Sequence, residues 1–193
     1  MNIVHRWLCS SARWRKVVEA YILPWTLENV DLGSDLIEIG PGPGISTDLL
    51  YRRVSRLTCV EIDRSYAEKL RRRLPGNVRV LCEDATMMSL ADQSFDAAVC
   101  FTMLHHVRSV ALQDSLMAEV ARVLRPGGIF AGTDSLYSRS FRMLHLCDTM
   151  VVVDPATLPC RLRSAGFDDV RVEVMEPYAF RFRARKPTTG AHK

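Results

Sequence analysis

A chain of 193 residues, 48% apolar and 25% charged, suits one globular domain with a full-sized core and leaves little room for a second. No apolar run approaches the roughly 20 residues needed to span a bilayer, and the N-terminal segment lacks the unbroken apolar stretch of a signal peptide, so the expectation is a cytoplasmic protein with no membrane partner. The net charge of +4 is local: Pro177 to Lys193 hold five basic residues and no acid, and the rest carries 21 basic against 22 acidic residues, which argues against a nucleic-acid-binding body.

Trp14, Val17, Val18, Tyr21 and Ile22 mark one face of an amphipathic helix that Pro24 should end. From residue 34 onward, strand and helix alternate. Asp35–Ile39 reads as a buried strand running into a Gly/Pro loop, and a helix follows from about Gly44 to Arg53. Leu57–Ile62 is the second strand, after which Asp63 can cap a helix bearing Tyr66, Leu70 and Leu74. Val78–Cys82 and Phe95–Phe101 are the third and fourth strands. Leu112, Leu116, Met117, Val120, Val123 and Leu124 line the next helix, which Pro126-Gly127-Gly128 stops before a fifth strand at Ile129–Gly132. An irregular stretch covers Asp134–Val153. Asp154-Pro155 then reads as an N-cap with proline at the first helical position, and Gly166 closes that helix. Val170–Val174 and Tyr178–Arg185 are the last strands, the second with Tyr178, Phe180, Phe182 and Ala184 inward and Arg181, Arg183 and Arg185 on a solvated face. The six residues from Thr188 are expected to be disordered.

This alternation predicts an α/β fold, a mostly parallel sheet covered by helices on both faces, with ligands at the carboxyl ends of the strands. The expected division is an N-terminal helical cap (1–30), a ligand-binding core (34–132), an irregular covering segment (134–153) and a final helix with a strand hairpin (154–187). Six cysteines form no CxxC pair; Cys59, Cys82 and Cys100 fall in predicted strands and read as small buried hydrophobes. His145, Cys147 and Cys160 match no common zinc spacing, so no metal is expected.

The first strand ends in Glu38-Ile39-Gly40-Pro41-Gly42-Pro43-Gly44. Its spacing is GxGxG, with Ile45 where a dinucleotide loop has its third glycine, and Pro41 and Pro43 remove backbone donors that a pyrophosphate would want. Glu38, Glu61 and Asp84 fall at consecutive strand ends, so all three should line one pocket. Three carboxylates repel phosphate and favour a ligand with positive charge, ribose hydroxyls and an amino-bearing base.

IEIGPGPGIST resembles motif I of class I S-adenosylmethionine-dependent methyltransferases, and CVEID resembles the acidic end of their second strand. CEDATMMSLADQSFDAAVCFTMLHHV is similar to their adenine-binding and fourth-strand segments, and LRPGG to the turn before their fifth strand. The resemblance covers about residues 34–132, with the last two strands similar to the family's closing hairpin. It implies a Rossmann-like, seven-stranded sheet whose last strand runs antiparallel, with S-adenosylmethionine as cofactor. It also implies that Gly40, Gly42 and Gly44 cradle the cofactor with Glu38 beneath its amino-acid end. Glu61 would hold the ribose, Ile62 would pack on adenine, Asp84 and the Ala85 backbone would read adenine, and Phe101 and Thr102 would lie near the methionine portion.

The front half, IEIGPGPG with VEIDRSYAEKL, is also similar to ribosomal-RNA adenine dimethylases, whose Asn-Leu-Pro-Tyr type motif follows the fourth strand. Here that position reads Cys100 to His106, without an Asn-Pro-aromatic element. The expected acceptor is therefore a small molecule, with RNA adenine methylation and cofactor binding without turnover as the alternatives. His105, His106 and His145 are the candidate bases should the acceptor have to lose a proton. The N-terminal tryptophans (Trp7, Trp14, Trp25) and the segment 134–153 are expected to close over the methyl group and shape the acceptor pocket.

Overall fold

The computed structural model describes residues 3–146 and 148–188. Its seven strands are β1 (Asp35–Ile39), β2 (Arg56–Val60), β3 (Val78–Leu81), β4 (Phe95–Phe101), β5 (Leu124–Ser135), β6 (Asp168–Met175) and β7 (Ala179–Arg185). They form one sheet in the order β3-β2-β1-β4-β5-β7-β6. The first five pair in parallel, and β7 runs antiparallel to both β5 and β6. This is the predicted Rossmann-like architecture. The order reverses between β1 and β4, which opens a crevice at their carboxyl ends.

All five residues of β1 are buried, because helices cover both faces. The period of two sends Ile37 and Ile39 to one face, with Ala98 and Cys100 of β4, under α6 (Val110–Val123) and α8 (Leu158–Ser164). Leu36, Cys59, Ala97 and Val99 face the opposite layer, made by the N-terminal helices, α4 (Thr47–Leu50) and α5 (Arg64–Arg73). Asp63 caps α5 as expected, its Oδ1 accepting from the N–H groups of Ser65 (2.9 Å) and Tyr66 (3.2 Å).

Several boundaries differ from the sequence reading. α1 (Ile3–Cys9) precedes α2 (Ala12–Val17), and Pro24 does not end the helix. A π-turn, Val18–Ile22, leads into α3 (Leu23–Thr26), with the Leu23 N–H donating to the Val18 carbonyl five residues back. That widened turn takes the proline, which has no N–H to place. The helix foreseen from Gly44 to Arg53 is the single turn α4, because the ligand loop extends to Ser46. β2 stops at Val60 and β3 at Leu81, leaving Glu61, Ile62 and Cys82 in turns; Cys82 is exposed, unlike the buried Cys59 and Cys100. α7 (Arg139–Leu144) occupies part of the irregular stretch.

Asp154 does not cap α8. It closes a turn on the Ala156 N–H (2.9 Å), and the helix begins four residues later with Pro159 in its first turn. Tyr178 lies outside β7 and is 71% exposed; Phe180, Phe182 and Ala184 are the inward face. Nor are the β7 arginines simply solvated. Arg181 contacts the Trp25 carbonyl, Glu28 (2.8 Å) and Glu173 (2.6 Å), and Arg183 donates to the Asn29 carbonyl (3.1 Å). The N-terminal helices thus rest on the arginine face of β7. Residues 189–193 of the tail and Cys147 lie outside the described residues.

Candidate cofactor site

At the carboxyl ends of β1, β2 and β4 lies a cavity of about 560 Å³. One wall is the loop after β1, where Gly40 has φ +63° and Gly42 φ +54°. A Cβ on Gly40 would meet Met103, whereas one on Gly42 would meet nothing, so the Gly42 backbone stands open to a ligand. Gly44 instead lies against Leu70 and Arg73 of α5 and does not reach the cavity, whereas Ile45 lines it.

Two of the three strand-end acids face this space, Glu61 and Asp84. Glu61 is buried, with Oε2 accepting from the Gly42 N–H (2.8 Å) and Oε1 from the Asp63 N–H (2.8 Å). Burial raises its pKa against the pull of those donors. Asp84 is exposed and folds its turn by accepting from the Thr86 N–H (2.9 Å). Beside Glu61 the side chain of Ile62 is 65% exposed, an apolar surface turned into the cavity with Ala85 opposite.

Glu38 is not on the cavity wall. It is 1% exposed beneath the loop, accepting from the hydroxyls of Ser46 and Thr47 (2.7 Å to the latter). Burial pushes its pKa up to about 7, opposed by those two hydroxyls. The β-strand period explains the placement, since Glu38 shares the Leu36 face, against the layer that holds α4.

Phe101, Thr102 and Met103 form the floor beyond β4. Thr102 has φ +48°, a left-handed conformation that costs a β-branched residue about 1–3 kcal/mol, and its N–H is held by the Thr133 carbonyl (2.8 Å). From there the chain makes a 3-10 turn, Leu104–His106. His106 lines the cavity, together with Asp148 and Thr149 from the 134–153 segment. His105 is 2% exposed behind it, with Nδ1 2.5 Å from Oδ1 of the buried Asp134. His145 is 4% exposed, with Nδ1 2.8 Å from the Phe141 carbonyl; burial lowers its pKa. The rings pack closely: His105 lies 4.2 Å from His106, tilted, and 4.9 Å from His145, edge to face, between centroids. The N-terminal wall is Cys9, Trp14, Val18 and Ile22, whereas Trp7 is 71% exposed and Trp25 lies under Arg181.

A methyltransferase domain family matches residues 37–132. Ribosomal RNA small subunit methyltransferase A of Fusobacterium nucleatum is 38% identical over 66 residues, which are 33% of this chain and 25% of that protein. Ubiquinone biosynthesis O-methyltransferase of Hahella chejuensis is 31% identical over 192 residues, covering 86% of this chain and 78% of the relative. The chain belongs to the class I S-adenosylmethionine-dependent methyltransferases. A crystal structure of a methyltransferase of this kind from Thermotoga maritima superposes with a TM-score of 0.75 at 21% identity, over 95% of this chain and 98% of that one. The cofactor of this methyltransferase is S-adenosylmethionine. The chain spans a quarter to about half the length of the ribosomal-RNA methyltransferases that it matches.

Of the methyltransferase residues named from sequence, Gly40, Gly42, Glu61, Ile62, Asp84, Ala85, Phe101, Thr102 and His106 meet around one cavity. Glu38, Gly44, His105 and His145 stand behind its wall. Sequence reasoning missed Ser46, Thr47 and Asp134. Asp134 carried a usable signal, since it is the acid at the carboxyl end of β5, two strands beyond the three whose acids were read.

Proposed function

We propose that this methyltransferase transfers the methyl group of S-adenosylmethionine to a small molecule bound at the His106 end of the cavity. The observation that carries this reading is the cavity's division: ribose- and base-compatible groups (Glu61, Ile62, Asp84) follow β2 and β3 on one side of β1, and His106 follows β4 on the other, with Asp148 and Thr149 also on the lining. A volume of about 560 Å³ falls within the roughly 300–1,000 Å³ of small-ligand pockets. Transfer is an in-line displacement at the sulfonium methyl, so orientation of the acceptor supplies much of the rate.

In this reading Gly40 and Gly42 pass the amino-acid portion close to backbone, and Gly44 lets the loop turn away. Glu61 takes the ribose hydroxyls on its remaining lone pairs, Ile62 packs on adenine, and Asp84 with the Ala85 N–H reads its edge. Phe101 and Thr102 flank the methionine chain. Glu38 acts from below through Ser46 and Thr47, holding the loop rather than touching the cofactor. His106 is the imidazole an acceptor meets.

Ribosomal RNA is the weaker reading, because no Asn-Pro-aromatic element follows β4 to stack a flipped base. The experiment is a metabolite-extract screen with methyl-labelled S-adenosylmethionine. Label in a low-mass product supports the proposal. Label in RNA, or in nothing while the cofactor binds, goes against it.

A further inference from the structure

We propose that His105, His106 and His145 form a binding site for one divalent metal ion of the zinc class, open on the side that faces the cavity. One ring nitrogen of each lies within 4.8 Å of the others. Two adjacent positions in the 3-10 turn and the residue that ends α7 contribute them, so only the tertiary fold brings them together. The sequence spacing that argued against a metal considered a different trio, with Cys160, which is exposed on α8.

The chemistry of the donor set goes beyond proximity. Asp134 is fully buried, with one carboxylate oxygen accepting from the His105 backbone N–H (3.0 Å) and the other facing Nδ1 at 2.5 Å. A carboxylate there fixes the proton on Nδ1 and leaves the Nε2 lone pair. That Nε2 is buried and has no hydrogen-bond partner among the described residues. A desolvated nitrogen lone pair is costly unless something takes it. On His145 the Phe141 carbonyl occupies Nδ1, which directs Nε2 toward its neighbours. A carboxylate behind one imidazole and a backbone carbonyl behind another are the partners that orient metal-ligating histidines. Three imidazoles suit zinc, copper, iron or nickel, and three protein ligands with a free fourth position is the pattern of a reactive zinc site. Tetrahedral bonds of about 2.05 Å set nitrogens about 3.3 Å apart, so the rings must draw in by at most about 1.5 Å.

His106 is half-buried on the cavity wall, with Asp148 and Thr149 beside it, which turns the fourth position toward the acceptor end. Resting on the function proposed above, a hydroxyl or thiol acceptor would bind there and release its proton to solvent. The coordinated anion's electron pair then forms the new bond to the methyl carbon, and the C–S pair leaves on the sulfur of S-adenosylhomocysteine.

The test uses the full chain stripped by chelator and titrated with Co²⁺, then with Zn²⁺. One Co²⁺ per chain should bind with the intense visible absorption of a tetrahedral site, and Zn²⁺ should bleach it. Asp134→Asn should weaken binding about 10–100-fold, and His106→Gln, at the half-buried ligand, by at least as much. Affinity for S-adenosylhomocysteine, measured on the same samples, should change less than about threefold with metal. Absence of stoichiometric binding in the wild type, or unchanged affinity in His106→Gln, overturns the proposal. Loss of S-adenosylhomocysteine binding by the wild type would instead sink the cofactor assignment and leave the metal result standing.

Discussion

The carboxylate of Glu61 ties two chain segments together: one oxygen holds the N–H of Gly42 and the other the N–H of Asp63, both at 2.8 Å. The same side chain therefore sets the approach of the glycine loop and presents its remaining lone pairs to the cavity. Glu61→Gln puts an amide NH₂ against one of those donors and removes the charge. Affinity for S-adenosylhomocysteine should fall about 10–100-fold, the equivalent of about 1.5–3 kcal/mol for a charged hydrogen bond. Adenosine should lose affinity alike, because the ribose is common to both. Calorimetric titration checks this, and a change under threefold would contradict the assignment.

Glu38 gives the fold a pH dependence of unusual sign for a carboxylate. Its folded pKa is raised from 4.5 to about 7 by burial, with the Glu61 charge adding to it and the Ser46, Thr47 and Cys59 hydrogen bonds opposing it, so the folded state holds the proton more tightly than the unfolded chain. The stabilisation is fully present below pH 4.5 and is lost as pH rises through 7. Glu38→Gln cannot ionise. Between pH 5 and pH 8 the variant should gain about 2–3 kcal/mol relative to wild type. Urea unfolding at both pH values reads it, and parallel pH profiles for the two proteins would refute it.

Much of this was legible in the sequence because strand ends in a parallel sheet converge by geometry. Glu61, Ile62, Asp84 and Phe101 needed only correct strand boundaries to within a residue or two. Glu38 was legible as an acid at a strand end but not as a buried one, since that required knowing that Ser46 and Thr47 fold back beneath the loop. The histidine cluster was out of reach. His145 meets His105 and His106 only through α7 and the Asp134 contact, and no periodicity encodes that encounter. The π-turn at Val18–Ile22 was hidden for a local reason: proline marks a helix end in a pattern reading unless a wider turn absorbs it.

Arg181 links the N-terminal helices to the last hairpin through Glu28, Glu173 and the Trp25 carbonyl, and its guanidinium lies 5.3 Å from the Trp25 ring. The arginine side chain is 16% exposed, but both glutamates are 57% exposed, so solvent screens much of the attraction. Arg181→Met keeps the stem and removes the charge. A loss of about 1–2 kcal/mol is expected, seen as about 3–6 °C in Tm for a chain of this size. An unchanged Tm would mean that Arg181 adds nothing to the attachment of the N-terminal helices.

Trp14 decides whether the N-terminal segment acts on catalysis. With Val18 and Ile22 it forms one wall of the cavity, and the segment is pinned to the cofactor half by Arg6 on Asp63 (2.6 Å) and Arg15 on Asp48 (3.1 Å). Asp63 is the residue that caps α5 directly after the Glu61 turn, so the pin reaches the base of the site. In the function proposed above, a wall fixed in this way would exclude water from the methyl group and hold the acceptor in line, which requires placement within about an ångström. Trp14→Ala opens the wall without touching Glu61, Ile62 or Asp84. It should keep S-adenosylhomocysteine affinity within a few-fold and lose at least tenfold in single-turnover methyl transfer to the acceptor found by the extract screen. The two readouts separate the cases. Equal losses in affinity and transfer would make Trp14 part of the cofactor's own packing, and full activity would leave the N-terminal helices as a structural layer on the sheet.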